Sequence, residues 1–254
     1  MKMKVNVYDL EGNVKAQIDL PEIFNTPYRP DIIKKAFWVA MSNRRQPYGA
    51  DPLAGKRHAC RWPGKGRGMA RIPRLNGGTG RAVQAPNTVG GRRAHPPKAE
   101  KIWEEKINKK EKKLAILSSI ASTKDADKVR ARGHRFRDDI TLPVVVEDKF
   151  KDLSKTKDVM KVLEKIGVIE DIERAKNGKK IRAGKGKRRG RKYKVPKSIL
   201  IVSNEGNIFK SAKNLPGVDI VEPSQLNIIH LAPGGGAGRL MVITEEALKE
   251  LGGS

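Results

Sequence analysis

The charge of this chain is concentrated in two stretches. Residues 44–98 carry 13 Lys or Arg against a single acid, Asp51, and residues 174–197 carry 13 against none. These stretches hold +12 and +13 of a formal net charge of +26 over 254 residues. Like charges at this density cannot bury enough apolar surface to order themselves. The fold must therefore be built by the remaining, nearly neutral sequence.

The first stretch also contains 10 Gly and 7 Pro, which leave no helical or strand period in it. A structureless loop of that length is uncommon in a compact domain, so the segment is either disordered or functional. As a hairpin with about 27 residues per arm, it can reach roughly 90 Å.

The neutral part alternates strands with amphipathic helices. Lys4 to Tyr8 alternates in polarity, residues 11–13 turn, and residues 14–20 can return as a second strand. Residues 31–43 place Ile32, Ile33, Ala36, Phe37, Ala40 and Met41 at helical spacing, with Pro30 near the first turn and Trp38 at an edge. Helices are predicted over 104–122 (Ile107, Leu114, Leu117, Ile120 and Ala121 inward), 125–132, 155–166 and 207–214. Gly133 and Gly167 act as stops. Residues 143–147, 199–202, 218–221 and 240–243 read as short buried strands. Ser224 is expected to cap a helical turn, and Thr244 the final helix to Leu251. The expected fold class is α/β: a mainly parallel, Rossmann-like sheet flanked by helices, with a long extended internal loop and a second basic loop. In domain terms, residues 1–43 and 99–254 form the globular part, 44–98 an inserted extended loop, and 174–197 the second basic loop.

A pI near 10.3 calls for a polyanionic partner, nucleic acid before an anionic membrane. Arg forks match phosphate oxygens bidentately. In the first segment the candidate RNA contacts are Arg44, Arg45, Lys56, Arg57, Arg61, Lys65 and Arg67. They continue through Arg71, Arg74, Arg81, Arg92, Arg93, His95 and Lys98. Tyr48 and Trp62 either stack on unpaired bases or pack within the loop. Gly64, Gly66, Gly68, Gly77, Gly78 and Gly80 let the backbone approach nucleic acid closely. In the second segment the candidates are Lys179, Lys180, Arg182, Lys185 and Lys187, then Arg188, Arg189, Arg191 and Lys192. That segment is either a solvated basic patch or a phosphate contact, and density favours the contact.

Other classes fare poorly. A single cysteine, Cys60, excludes a disulfide scaffold and a Cys-based zinc site. His58, His95, His134 and His230 are scattered, and the first three sit in or beside basic stretches that suit phosphate contact. Gly234-Gly235-Gly236-Ala237-Gly238 leads into a strand, not a helix, and so lacks the dinucleotide fingerprint. No cofactor, metal or catalytic residue is expected. No apolar run is long enough to span a membrane, and the N-terminus lacks a signal-peptide h-region, so a soluble cytoplasmic protein is expected.

Several motifs together resemble one family. They are Ala50-Asp51-Pro52-Leu53-Ala54-Gly55, Gly64-Lys65-Gly66-Arg67-Gly68, Ile72-Pro73-Arg74-Leu75 and Arg92-Arg93-Ala94-His95-Pro96-Pro97-Lys98. Asn108-Lys109-Lys110-Glu111, Arg132-Gly133-His134, Gly190-Arg191-Lys192-Tyr193 and Leu231-Ala232-Pro233-Gly234-Gly235 complete the set. The chain is similar over nearly its whole length to the L-four family of large-ribosomal-subunit proteins in its archaeal form. The resemblance implies a structural, non-enzymatic protein that binds large-subunit ribosomal RNA and supports subunit assembly. It also implies a loop tip lining the peptide exit tunnel at Arg61, Trp62, Lys65, Arg67, Met69 and Arg71. The implied partners are ribosomal RNA, neighbouring ribosomal proteins and the nascent peptide. The alternative is a free-standing RNA chaperone or translational regulator using the same basic segments.

Overall fold

The computed structural model describes residues 3–77 and 80–253. Gly78, expected to admit close backbone approach, lies outside the described residues. The strands are β1 (Lys4–Tyr8), β2 (Val14–Asp19), β3 (Cys60–Arg61), β4 (Arg74–Leu75) and β5 (Val144–Val146). They continue as β6 (Lys180–Ile181), β7 (Tyr193–Lys194), β8 (Leu200–Val202), β9 (Asp219–Val221) and β10 (Met241–Thr244). The helices are α1 (Pro30–Ser42), α2 (Lys109–Ala121), α3 (Ala126–Ala131), α4 (Thr156–Ile166), α5 (Ile169–Asn177), α6 (Ile208–Ser211), α7 (Ile228–Leu231) and α8 (Glu245–Gly252).

Two compact units result, residues 1–41 with 105–254 and residues 42–104. The larger holds a six-stranded sheet of order β2-β1-β5-β10-β8-β9, with β2 antiparallel to β1 and every other pair parallel. Val144–Val146, Leu200–Val202 and Met241–Thr244 are buried at every position, as strands covered on both faces must be. On one face Val144, Val146, Ile201 and Val242 pack against Val159 and Leu163 of α4, Ile172 of α5 and Ile208 of α6. On the other, Val145, Leu200, Met241 and Ile243 meet Ile120 of α2 and Ala247, Leu248 and Leu251 of α8.

Several local expectations need correction. Helix α2 begins at Lys109, not at 104, and buries Ala115, Ser118 and Ser119, whereas Leu114 and Leu117 are only partly buried. The serines enter the core because their hydroxyls donate to carbonyls: Ser118 to Pro27 at 2.9 Å, Ser119 to Ala115 at 2.8 Å. In α1 the buried face takes Val39 and leaves Met41 exposed. Helices α5 and α7 were not anticipated. The expected helix over 207–214 contracts to α6. Ser224 lies within a short 3-10 turn, not at its cap. Thr244 occupies the N-cap position of α8, yet its hydroxyl bonds no helix amide. The stops are as read: Gly133 and Gly167 adopt φ of 95° and 93° just after α3 and α4.

Candidate nucleic-acid interface

Several basic side chains of the larger unit that stand near the sheet are answered by acids. Lys15 pairs with Glu147 at 3.1 Å, Lys151 with Glu246 at 2.8 Å and Lys197 with Asp219 at 2.8 Å. Arg174 bonds Asp171 at 2.9 Å, so this residue, counted in the second basic stretch, belongs to the core network instead. Asp171 also meets His134 Nδ1 at 3.0 Å. His134 is 5% exposed, so the phosphate contact expected of it is replaced by a buried carboxylate partner. Burial pushes the His134 imidazole below its ordinary value, with Asp171 opposing. Burial raises the Asp171 carboxyl, but the bonds from His134 and Arg174 outweigh it and hold it below the usual range.

The two basic stretches are different. Among the described residues the only ion pair in 44–98 joins Arg57 to Asp51. Within it, β3 and β4 form a small antiparallel hairpin, Cys60 opposite Leu75 and Arg61 opposite Arg74, so the stretch is not free of strand as expected. The turn between them carries Trp62, 68% exposed, followed by Lys65, Arg67, Met69 and Arg71, all exposed. Gly64, Gly66 and Gly68 sit at φ of 78°, 76° and 62°, where a Cβ is disfavoured. Arg74 is half-buried and donates to Gly80 O at 2.8 Å, which makes it a clamp within the hairpin. Arg92 is also half-buried, and its backbone runs against Gly55. The other candidates of this stretch, Arg44, Arg45, Tyr48, Lys56, Arg57, Arg61, Arg81, Arg93, His95 and Lys98, are exposed. Arg45 lies over the Trp103 ring at 3.8 Å, with Lys101 at 4.5 Å. Trp103 was not singled out by sequence, since it lies beyond the charge-dense stretch.

The second stretch forms its own hairpin, Lys180 opposite Lys194 and Ile181 opposite Tyr193. Its turn is a 3-10 segment, Lys185–Arg189, with no buried residue. Arg182 folds back, donating to Arg191 O at 3.1 Å, and is half-buried. Lys179, Lys180, Lys185, Lys187, Arg188, Arg189, Arg191 and Lys192 are exposed and have no carboxylate partner among the described residues. Tyr193, half exposed and missed as a site residue, carries Lys179 at 4.4 Å and Lys192 at 5.6 Å over its ring. Each hairpin thus presents unpaired cations beside an exposed aromatic, the combination that holds a phosphate chain and stacks its bases.

No group of three or more His, Cys, Asp or Glu side chains is placed to hold a metal among the described residues, and no helix there is long and apolar enough to cross a membrane.

Residues 18–254 match the ribosomal protein L4/L1 family. The chain is 54% identical over 250 residues to the large ribosomal subunit protein uL4 of Methanocaldococcus jannaschii, covering 98% of each chain. It is 52% identical over 249 residues to that of Methanococcoides burtonii, covering 98% and 97%. To that of Thermoplasma acidophilum it is 48% identical over 251 residues, covering 99% and 98%.

Proposed function

The chain belongs to the ribosomal protein L4/L1 family, and on that premise we propose that it is a structural constituent of the large subunit of the cytoplasmic ribosome. It binds large-subunit ribosomal RNA through residues 44–98 and 174–197 and supports assembly of the subunit. The turn from Arg61 to Arg74 lines the peptide exit tunnel, where it meets the nascent peptide. Neighbouring ribosomal proteins are its other partners, and the role is architectural, not catalytic.

The observation that carries this reading is the partition of charge. Acids answer several cations that stand beside the sheet, whereas Lys65, Arg67 and Arg71 of the first hairpin and Lys185, Lys187, Arg188 and Arg189 of the second face solvent with no acid partner among the described residues. Holding so many like charges together is costly until a polyanion neutralises them. We read the larger unit as a Rossmann-like platform for the hairpins. The crossovers from β5 to β8 and from β8 to β9 run over one face, and the return to β10 runs over the other, the pattern that keeps a single crossover hand.

Sucrose-gradient sedimentation tests the reading. At moderate salt the native protein is expected with large subunits; recovery at the top of the gradient would favour a free-standing RNA chaperone or regulator.

A further inference from the structure

The glycine run before β10 fails as a dinucleotide loop, yet its surroundings are unusual. Three arginines of the larger unit lie at this end of the sheet. Arg239 is fully buried and answered by Asp219 at 2.7 Å, and Arg174 is answered by Asp171. Arg132 has no carboxylate partner among the described residues. It donates only to backbone carbonyls, those of Pro233 and, at 3.4 Å, of Ala237. Burial, with Arg239 and Arg174 nearby, lowers its pKa to about 10. A partly buried cation without a counter-charge is costly, and a bound anion would offset that cost.

The loop around it has the shape for one. Gly234 and Gly235 adopt φ of 84° and 83°, which turns the chain sharply. A Cβ on Gly236 would lie 3.2 Å from Arg132 Nη1, so only glycine leaves the guanidinium edge uncrowded there. The backbone N–H groups of Gly236 and Ala237 have no acceptor among the described residues. Lys34 of α1 runs along the loop, its Cγ 3.4 Å from where a Gly235 Cβ would stand, and its exposed ammonium has no acid partner among the described residues. Free amides beside two unanswered cations make an anion-binding concavity.

We propose that Arg132, Lys34 and the loop from Pro233 to Gly238 form a third RNA contact, which takes one backbone phosphate of ribosomal RNA. It rests on the RNA-binding function proposed above, but its residues lie on the larger unit and outside both basic stretches of the sequence. Arg132 supplies a fork whose inner bonds are fixed by the two carbonyls. Lys34 supplies a mobile point charge from the solvent side.

The test is filter binding of the full chain to large-subunit ribosomal RNA at moderate salt. Lys34→Glu changes an exposed residue and leaves the fold alone. Arg132→Gln keeps a donor for the Pro233 carbonyl. Each is expected to weaken binding roughly tenfold, the scale of a lost charge-assisted phosphate contact. Lys157→Glu, the same charge reversal on exposed α4, is the control and should weaken binding far less. If Lys34→Glu costs no more than Lys157→Glu, the site is overturned while the hairpin contacts stand. If the unaltered chain does not bind the RNA at all, both readings fall.

Discussion

Arg239 reaches Asp219 at 2.7 Å while its guanidinium is wholly shielded from solvent. The same group donates to Ser198 O and His230 O at 2.8 Å and to Ile199 O and Gly217 O at 3.2 Å. One side chain therefore ties together the segments that enter β8, β9 and β10. Burial alone would raise the Asp219 carboxyl, but Arg239 and Lys197 hold it below the usual range.

Arg239→Met is expected to destabilise the larger unit by about 2–4 kcal/mol, because it removes the buried guanidinium donor from the Ser198 and His230 carbonyls and leaves Asp219 with Lys197 alone. Chemical denaturation with tryptophan fluorescence and circular dichroism measures this. A loss below about 1 kcal/mol would mean that the bonds contribute little net stability.

Stability should fall with acid in two windows. His134 is lowered by burial, so the folded state takes up its proton less readily than the unfolded chain. Its contribution is complete above the ordinary histidine value of 6.5 and erodes as pH drops below it. Asp171 and Asp219 are lowered too, so theirs is present above the ordinary aspartate value of 3.8 and lost as pH falls through the folded values. Melting temperature measured from neutral pH down to about 5 should decline less for His134→Gln than for the unaltered chain.

Replacing Lys185, Lys187, Arg188 and Arg189 with glutamine should flatten the salt dependence of RNA binding. The log–log slope should drop by roughly 3–4, at about 0.7–0.9 per neutralised phosphate. An unchanged slope would mean that the 3-10 turn points away from the RNA.

Trp62→Ala and Tyr193→Ala should each weaken RNA binding by about 1–3 kcal/mol, the worth of one stacked base. Both rings are exposed, so thermal stability should hold. If both variants bind like the parent, neither ring stacks on a base, and Tyr193 serves only the two lysines over it.

Trypsin should cut the free chain first within Lys65 to Arg71 and Lys185 to Lys192, and added RNA should protect both. Cleavage spread evenly along the chain would contradict the division between packed sheet and solvated hairpins.

Amphipathic periodicity made β1, α1 and α4 legible, and unbroken apolar runs did the same for the three fully buried strands. What escaped had no such period. Helix α5 starts in the neutral sequence and ends in the basic stretch, so charge density masked Ile172 and Ala175, which are buried. The serine face of α2 looks polar in sequence and enters the core because carbonyls accept its hydroxyls, that of Ala115 one turn back for Ser119 and that of the distant Pro27 for Ser118. At the candidate interface, sequence located the charge but could not tell answered cations from unanswered ones. Arg174 falls in the second basic stretch and Arg74 is a candidate contact, whereas Asp171, one helical turn back, and the Gly80 carbonyl, across the turn, engage them. Tyr193 was passed over because its meaning depends on two lysines closing over its ring.

The hairpin from Lys180 to Lys194 carries its crowded charge with no internal acid, so dissolved salt acts on it in two opposed ways. Screening eases repulsion within the free chain and favours its folded form, yet the same ions displace the hairpin from a polyanion. Buffer conditions that best preserve the isolated protein are thus those that strip it from its RNA, and a preparation kept at high ionic strength holds the hairpin ready until dilution returns it to its partner.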